Sequence, residues 1–206
     1  MNVRDAIQGF YAVLDRDDET LCRALLASGA RVLQVRIKPA LSAGQILRAA
    51  RMARRLCEEH GAALVINDRI DIALAVGAHG VHLGQTDLPL ERARELVRER
   101  LWLGISTHDL EQVHATLASG AADYLAYGPV FATSTKANPD PVVGLDGLRA
   151  AVGVAGQLPV VAIGGITPER AAEVYATGAA ALCAIGAVTG APDVTARARS
   201  LAPGRA

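Results

Sequence analysis

Aromatic residues are nearly absent: one Trp, four Tyr and two Phe in 206 positions. A core without large rings must be assembled from Ala, Val, Leu and Ile. Such side chains suit parallel strands buried on both faces and covered by helices. Cysteine is scarce as well. Cys22, Cys57 and Cys183 are odd in number and lack metal-ligand spacing, which argues against a disulfide framework and favours a reducing, cytoplasmic setting. Net charge is missing: 21 Lys and Arg balance 21 Asp and Glu, so no overall field draws nucleic acid or an anionic membrane. No run reaches the roughly 18 apolar residues of a membrane span. Residues 1–9 carry charges in place of an apolar signal core.

What is present is a repeated punctuation mark. Ser28-Gly29-Ala30, Val76-Gly77-Ala78, Ser119-Gly120-Ala121 and Thr177-Gly178-Ala179 each follow a helix-like stretch and precede a short apolar run. A glycine just past a helix takes the left-handed conformation that other residues avoid, and the chain then enters a buried strand. Gly61-Ala62 is a looser fifth case. Between these marks, residues 42–59 place Ile46, Ala49, Ala53 and Leu56 at helical spacing. Residues 89–98 and 108–117 read similarly, and Thr167-Pro168-Glu169 is a good helix start. Strand runs fall near residues 10, 32, 63, 80, 101, 123, 159 and 180. Eight strands alternating with helices in about 200 residues predict a single-domain (β/α)8 TIM barrel over 1–206, with an open doubly wound sheet as the alternative. The tail 197–206 is expected to fray.

Barrel enzymes work at the C-terminal ends of their strands, and here those ends are polar. Gln34, Arg36 and Lys38 alternate along strand two and so share a face. Cations on an inward face call for an anion between them; a solvated strand end is the plainer reading. Asp68 after strand three and Asp87 after strand four suit Mg²⁺ beside substrate phosphates, or else cap the helices that follow. Gly164-Gly165 and Ile185-Gly186 occupy the places where barrels hold phosphate on backbone N–H groups; a tight turn is the rival. Thr133-Ser134-Thr135-Lys136 adds hydroxyls and a point charge within a long loop from 128 to about 144. Asn67, Ser106 and His108 also lie at strand ends. His60, His79, His82 and His114 read as structural or exposed, and Cys183 as core. The residues thus predict two anion sites, one metal-assisted and one built from backbone, in an enzyme with two phosphorylated substrates.

The ordered stretches Gln34-x-Arg36-x-Lys38, Ile66-Asn67-Asp68, 80–85 with Asp87, Gly104-Ile105-Ser106, Gly128-Pro129-Val130-Phe131-x-Thr133-x-Thr135-Lys136 and 162–166 resemble the thiamine-phosphate synthase family, related to the thiazole tautomerase. The resemblance implies condensation of a hydroxymethylpyrimidine diphosphate with a thiazole phosphate, releasing diphosphate dissociatively with Mg²⁺ as cofactor. It implies Arg36, Lys38, Ser106 and Lys136 as catalytic groups. Pyrimidine-diphosphate contacts would come from Gln34, Val35, Arg36, Ile37, Lys38, Asn67, Ser106 and Lys136. Thr133, Ser134, Thr135, Gly165, Ile185 and Gly186 would hold the thiazole phosphate, and Asp68 and Asp87 the metal. Gly186 stands where the family commonly has serine, Ile37 replaces a commonly acidic residue, and one lysine follows Thr-x-Thr. The expected partners are these small molecules, with a homo-oligomer left open. Two alternatives remain: a tautomerase acting through His108, and a silent barrel that binds the thiazole or thiamine phosphate.

Overall fold

The computed structural model describes residues 1–37, 42–133 and 140–203. Eight parallel strands close into a barrel in sequence order: β1 (Gly9–Leu14), β2 (Val32–Val35), β3 (Ala63–Asn67), β4 (Gly80–Leu83), β5 (Trp102–Thr107), β6 (Tyr124–Tyr127), β7 (Val160–Ile163) and β8 (Ala181–Cys183). Each pairs with its neighbours, and β8 returns to β1 through Gly9–Ala181 and Phe10–Leu182. Closure removes every sheet edge and leaves the open-sheet alternative behind.

The helices start and stop where the local chemistry directs. Ser42 and Gln45 form a reciprocal capping box at the head of the helix Ala43–His60. At the other end of the punctuation, Gly77 and Gly120 close their helices at φ 62° and 61°, the left-handed geometry expected of them. The helix start at Thr167-Pro168 is a single 3-10 turn leading into a short helix, Ala171–Tyr175. Of the tail 197–206, residues 204–206 lie outside the described residues; before them a helix runs over Val194–Arg199, and Leu201 is fully buried.

Strand alternation divides the apolar residues into two layers. Leu33, Val35, Leu64, Ile66, Val81, Leu83, Leu103 and Leu125 face outward and pack beneath the helices. Tyr11, Val13, Val32, Ala63, Val65, Tyr124, Ala126, Val161 and Cys183 fill the interior, and Ala6 and Ile7 ahead of β1 join that cluster. Two of the few aromatic residues therefore stand inside the barrel. Space for Tyr124 comes from its register partner Gly104 on β5. A Cβ at Gly104 would lie 2.1 Å from Tyr124 Cζ and 2.5 Å from His82 Nδ1.

Gly104→Ala is therefore expected to destabilise the protein by about 1–3 kcal/mol through overpacking. Gly153→Ala, at an exposed helical site with nothing within 4 Å of the added carbon, should instead stabilise by about 0.5–1 kcal/mol. Urea midpoints of the two variants, at unchanged slope, check both signs.

Candidate active site

One cavity of about 690 Å³ opens at the C-terminal ends of the strands. Strands β2 to β5 bring Gln34, Arg36, Asn67, Asp68, Asp87 and Ser106 to its wall. Strands β6 to β8 bring Thr133, Gly165, Ile185 and Gly186. These sets occupy contiguous arcs of the barrel, because the strands follow one another in order.

Alternation sorts the strand-two motif. Gln34 and Arg36 point inward, whereas Val35 is buried in the helix-facing layer and Ile37 packs against it. Those two can offer the cavity their backbone only. Lys38, Ser134, Thr135 and Lys136 lie outside the described residues.

The two aspartates are held differently. Asp68 sits just past β3 at φ 61°, a left-handed conformation costly for a residue with a Cβ, and its N–H donates to the His82 carbonyl at 2.8 Å. The N-cap position of the helix that follows, Ile70–Val76, belongs to Arg69, whose side chain makes no capping hydrogen bond. Asp87 braces its own loop: Oδ2 accepts the Gly84 N–H at 2.7 Å. Among the described residues no group of three or more His, Cys, Asp or Glu could hold a metal. A cation here would take two protein carboxylates and complete its shell from substrate and water, which is the habit of Mg²⁺. The donor set fits that ion.

On the other arc the glycines have a packing reason of their own. The segment after β6 runs alongside β7, with Val130 N–H donating to the Ile163 carbonyl at 2.9 Å and Phe131 N–H to Gly164 at 3.0 Å. A Cβ on Gly164 would stand 2.5 Å from Pro129, and one on Gly165 would stand 2.4 Å from the Ala132 carbonyl. The pair is thus required by this backbone approach whether or not an anion binds.

His108 also lines the cavity. Its Nδ1–H donates to the Gly128 carbonyl at 2.6 Å, and Nε2 lies 3.5 Å from Asp140 Oδ2. The ring ties the end of β6 to Asp140. Cys183 is cavity-lining but inert, since burial pushes its thiol up to about 12.

Among the cavity residues that the sequence reading did not place in the site are Tyr11, His82 and Tyr124. His82, read as structural or exposed, is 6% exposed. Its Nε2 lies 3.0 Å from Ser106 Oγ and its Nδ1 3.0 Å from the Tyr124 hydroxyl. Burial, aided by the nearby Arg36 charge, lowers its pKa to about 4. The available signal was its inward register: Gln34, Asn67 and His82 follow the same alternation.

The thiamine monophosphate synthase family model matches residues 10–188. The chain belongs to this family. A thiamine-phosphate synthase of Chloroflexus aurantiacus is 44% identical over 186 residues, covering 90% of this chain and 84% of its own length. One from Anaeromyxobacter dehalogenans is 46% identical over 197 residues, covering 95% and 86%. The solved thiamine phosphate pyrophosphorylase of Pyrococcus furiosus superposes with a TM-score of 0.87 at 38% identity, over 97% of this chain and 96% of that one. Family membership thus agrees with the resemblance carried by the sequence motifs.

Keeping His82 uncharged makes folding stability depend on pH. The unfolded ring gains its proton near 6.5 and the folded ring only near about 4. The unfolded state therefore binds more protons between these values, so stability is full above 6.5, falls as pH drops through that window, and levels off below it. The size is roughly 3 kcal/mol as an order of magnitude. His82→Gln should flatten this component, measured as the difference in urea stability between pH 7 and pH 4.

Proposed function

We propose that this protein is a thiamine-phosphate synthase, a transferase that joins a hydroxymethylpyrimidine diphosphate to a thiazole phosphate and releases diphosphate. The observation that carries this reading is the division of one cavity into two arcs of different chemistry. Arg36, Asn67, Asp68, Asp87 and Ser106 supply charge and polar side chains on β2 to β5. Gly165, Ile185 and Gly186 supply mainly backbone on β7 and β8. The first arc suits a diphosphate leaving group, and the second suits the smaller phosphate of the acceptor.

The proposed step breaks the bond between the pyrimidine methylene carbon and the bridging diphosphate oxygen, the electron pair leaving with diphosphate. The thiazole nitrogen lone pair then closes on that carbon, giving a C–N bond and a positively charged ring. Atoms and electrons balance without transfer of a proton, so no general base is needed. Arg36, together with Lys38 and Lys136 of the motif, would neutralise charge growing on the departing oxygens, and Ser106 would donate to one of them. Asp68 and Asp87 would hold Mg²⁺, which when bound supplies further charge neutralisation to the diphosphate. Gln34 and Asn67 would orient the pyrimidine. Thr133 and the backbone N–H groups of Gly165 and Gly186 would hold the thiazole phosphate, with Ser134 and Thr135 of the same motif. Glycine at 186 retains an N–H but adds no hydroxyl there. The three buried free thiols fit a reducing, cytoplasmic setting.

A tautomerase would need His108 to shuttle a proton. The ring is already engaged on Nδ1 by Gly128 and lies beside Asp140 at Nε2, which suits a loop anchor better.

Purified protein given both substrates and Mg²⁺ should release diphosphate, and chelation of the metal should stop it. Asp68→Ala is expected to lower the rate by about 100-fold or more, as removal of a charge-stabilising element does, with folding checked by circular dichroism. Folded wild-type protein that releases no diphosphate would refute this reading.

A further inference from the structure

Four hydrogen bonds join five groups into one line through the barrel interior. Gln34 Nε2 lies 3.1 Å from the Tyr11 hydroxyl. Tyr11 and Tyr124 hydroxyls are 3.0 Å apart. Tyr124 reaches His82 Nδ1 at 3.0 Å, and His82 Nε2 reaches Ser106 Oγ at 3.0 Å. Gln34, Tyr11, His82 and Tyr124 are all buried in the cavity floor, and the hydrogen bonds that the two tyrosine hydroxyls make to described residues all go to members of the line.

Counting hydrogens gives the line a direction. The Gln34 amide nitrogen only donates, so the Tyr11 oxygen accepts from it. Tyr11 then has one hydroxyl hydrogen, and Tyr124 is its acceptor. Tyr124 in turn directs its hydrogen to His82 Nδ1. Were Tyr124 to donate to Tyr11 instead, the Tyr11 hydrogen would have no acceptor on the line. A ring nitrogen that accepts carries no proton, so His82 is neutral and protonated on Nε2. That N–H donates to Ser106 Oγ, which leaves the serine's own hydrogen to be used elsewhere, and Ser106 lines the cavity.

We infer that the line Gln34–Tyr11–Tyr124–His82 holds Ser106 as a hydrogen-bond donor toward the cavity, which makes His82 and Tyr124 positioning residues for it. A serine so fixed offers a donor, rather than a lone pair, to an anionic ligand oxygen, and pays no reorientation cost as charge develops there. The identity of that oxygen, on the pyrimidine diphosphate, rests on the proposed activity. The direction of the line does not.

The first arm of the test needs no substrate. With ¹⁵N-labelled histidine, long-range ¹H–¹⁵N NMR at pH 7 reads the tautomer of each ring, and His82→Gln identifies the His82 signals. A neutral ring protonated on Nε2 is expected, and Tyr124→Phe should erase that preference. A ring protonated on Nδ1 would overturn the inference from the wild-type spectrum alone, even if the Tyr124 variant does not fold. The second arm reads kcat/KM for diphosphate release. His82→Gln, whose amide N–H can still reach Ser106, should stay within about threefold of wild type, while His82→Leu should fall about tenfold or more. Ser106→Ala should fall as far, and the double variant His82→Leu with Ser106→Ala no further than either. Full activity in His82→Leu, or losses that multiply, would overturn the positioning role. Absence of diphosphate release from wild-type protein would count against the activity alone, because the tautomer decides the inference.

Discussion

Placing a tyrosine hydroxyl inside a closed eight-stranded barrel constrains nearly everything around it. Tyr124 is fully buried, and a buried hydroxyl without a partner costs about 1–3 kcal/mol. Its ring requires the missing side chain at Gly104, and its oxygen requires both Tyr11 and His82. Those two in turn reach Gln34 and Ser106. The aliphatic remainder of the interior thus surrounds one polar thread that runs along the floor of the cavity. Packing at the centre of the fold and geometry in the site are therefore two descriptions of one set of contacts.

A second constraint comes from backbone rather than side chains. The segment after β6 lies so close to β7 that Gly164 and Gly165 admit no Cβ. This contact fixes the segment that follows β6, and His108 links Gly128 at its start to Asp140. The same backbone that forms the cavity's glycine-rich arc also holds the segment 128–133 in place. A glycine pair in a barrel phosphate position consequently has two independent causes here, and only one of them involves a ligand.

The legibility of the sequence followed the range of the physical signal. Helix ends at Gly77 and Gly120 were readable because a left-handed residue is a local event. The inward set of Gln34 and Arg36 was readable because alternation along a strand is local too. The same rule turns the Val35 and Ile37 side chains toward the helices and leaves only their backbone for the cavity. His82 was passed over because its meaning depends on Tyr124 and Ser106, which lie on two other strands and are 42 and 24 residues away. The tail reads as a linker-like stretch from its composition, yet Leu201 finds a buried site and its carbonyl accepts from the distant Tyr175 hydroxyl.

By itself the sequence determined the eight-fold alternation of strand and helix, the inward face of strand two, and the motifs that mark the family. Each is set by neighbouring residues or by their spacing along the chain. Only the tertiary structure decided which strand ends share one cavity, that Gly164 and Gly165 answer to the chain beside them, and that His82 bonds Ser106. These depend on register between strands, and closure of the barrel sets that register through packing across the interior, which no single segment encodes.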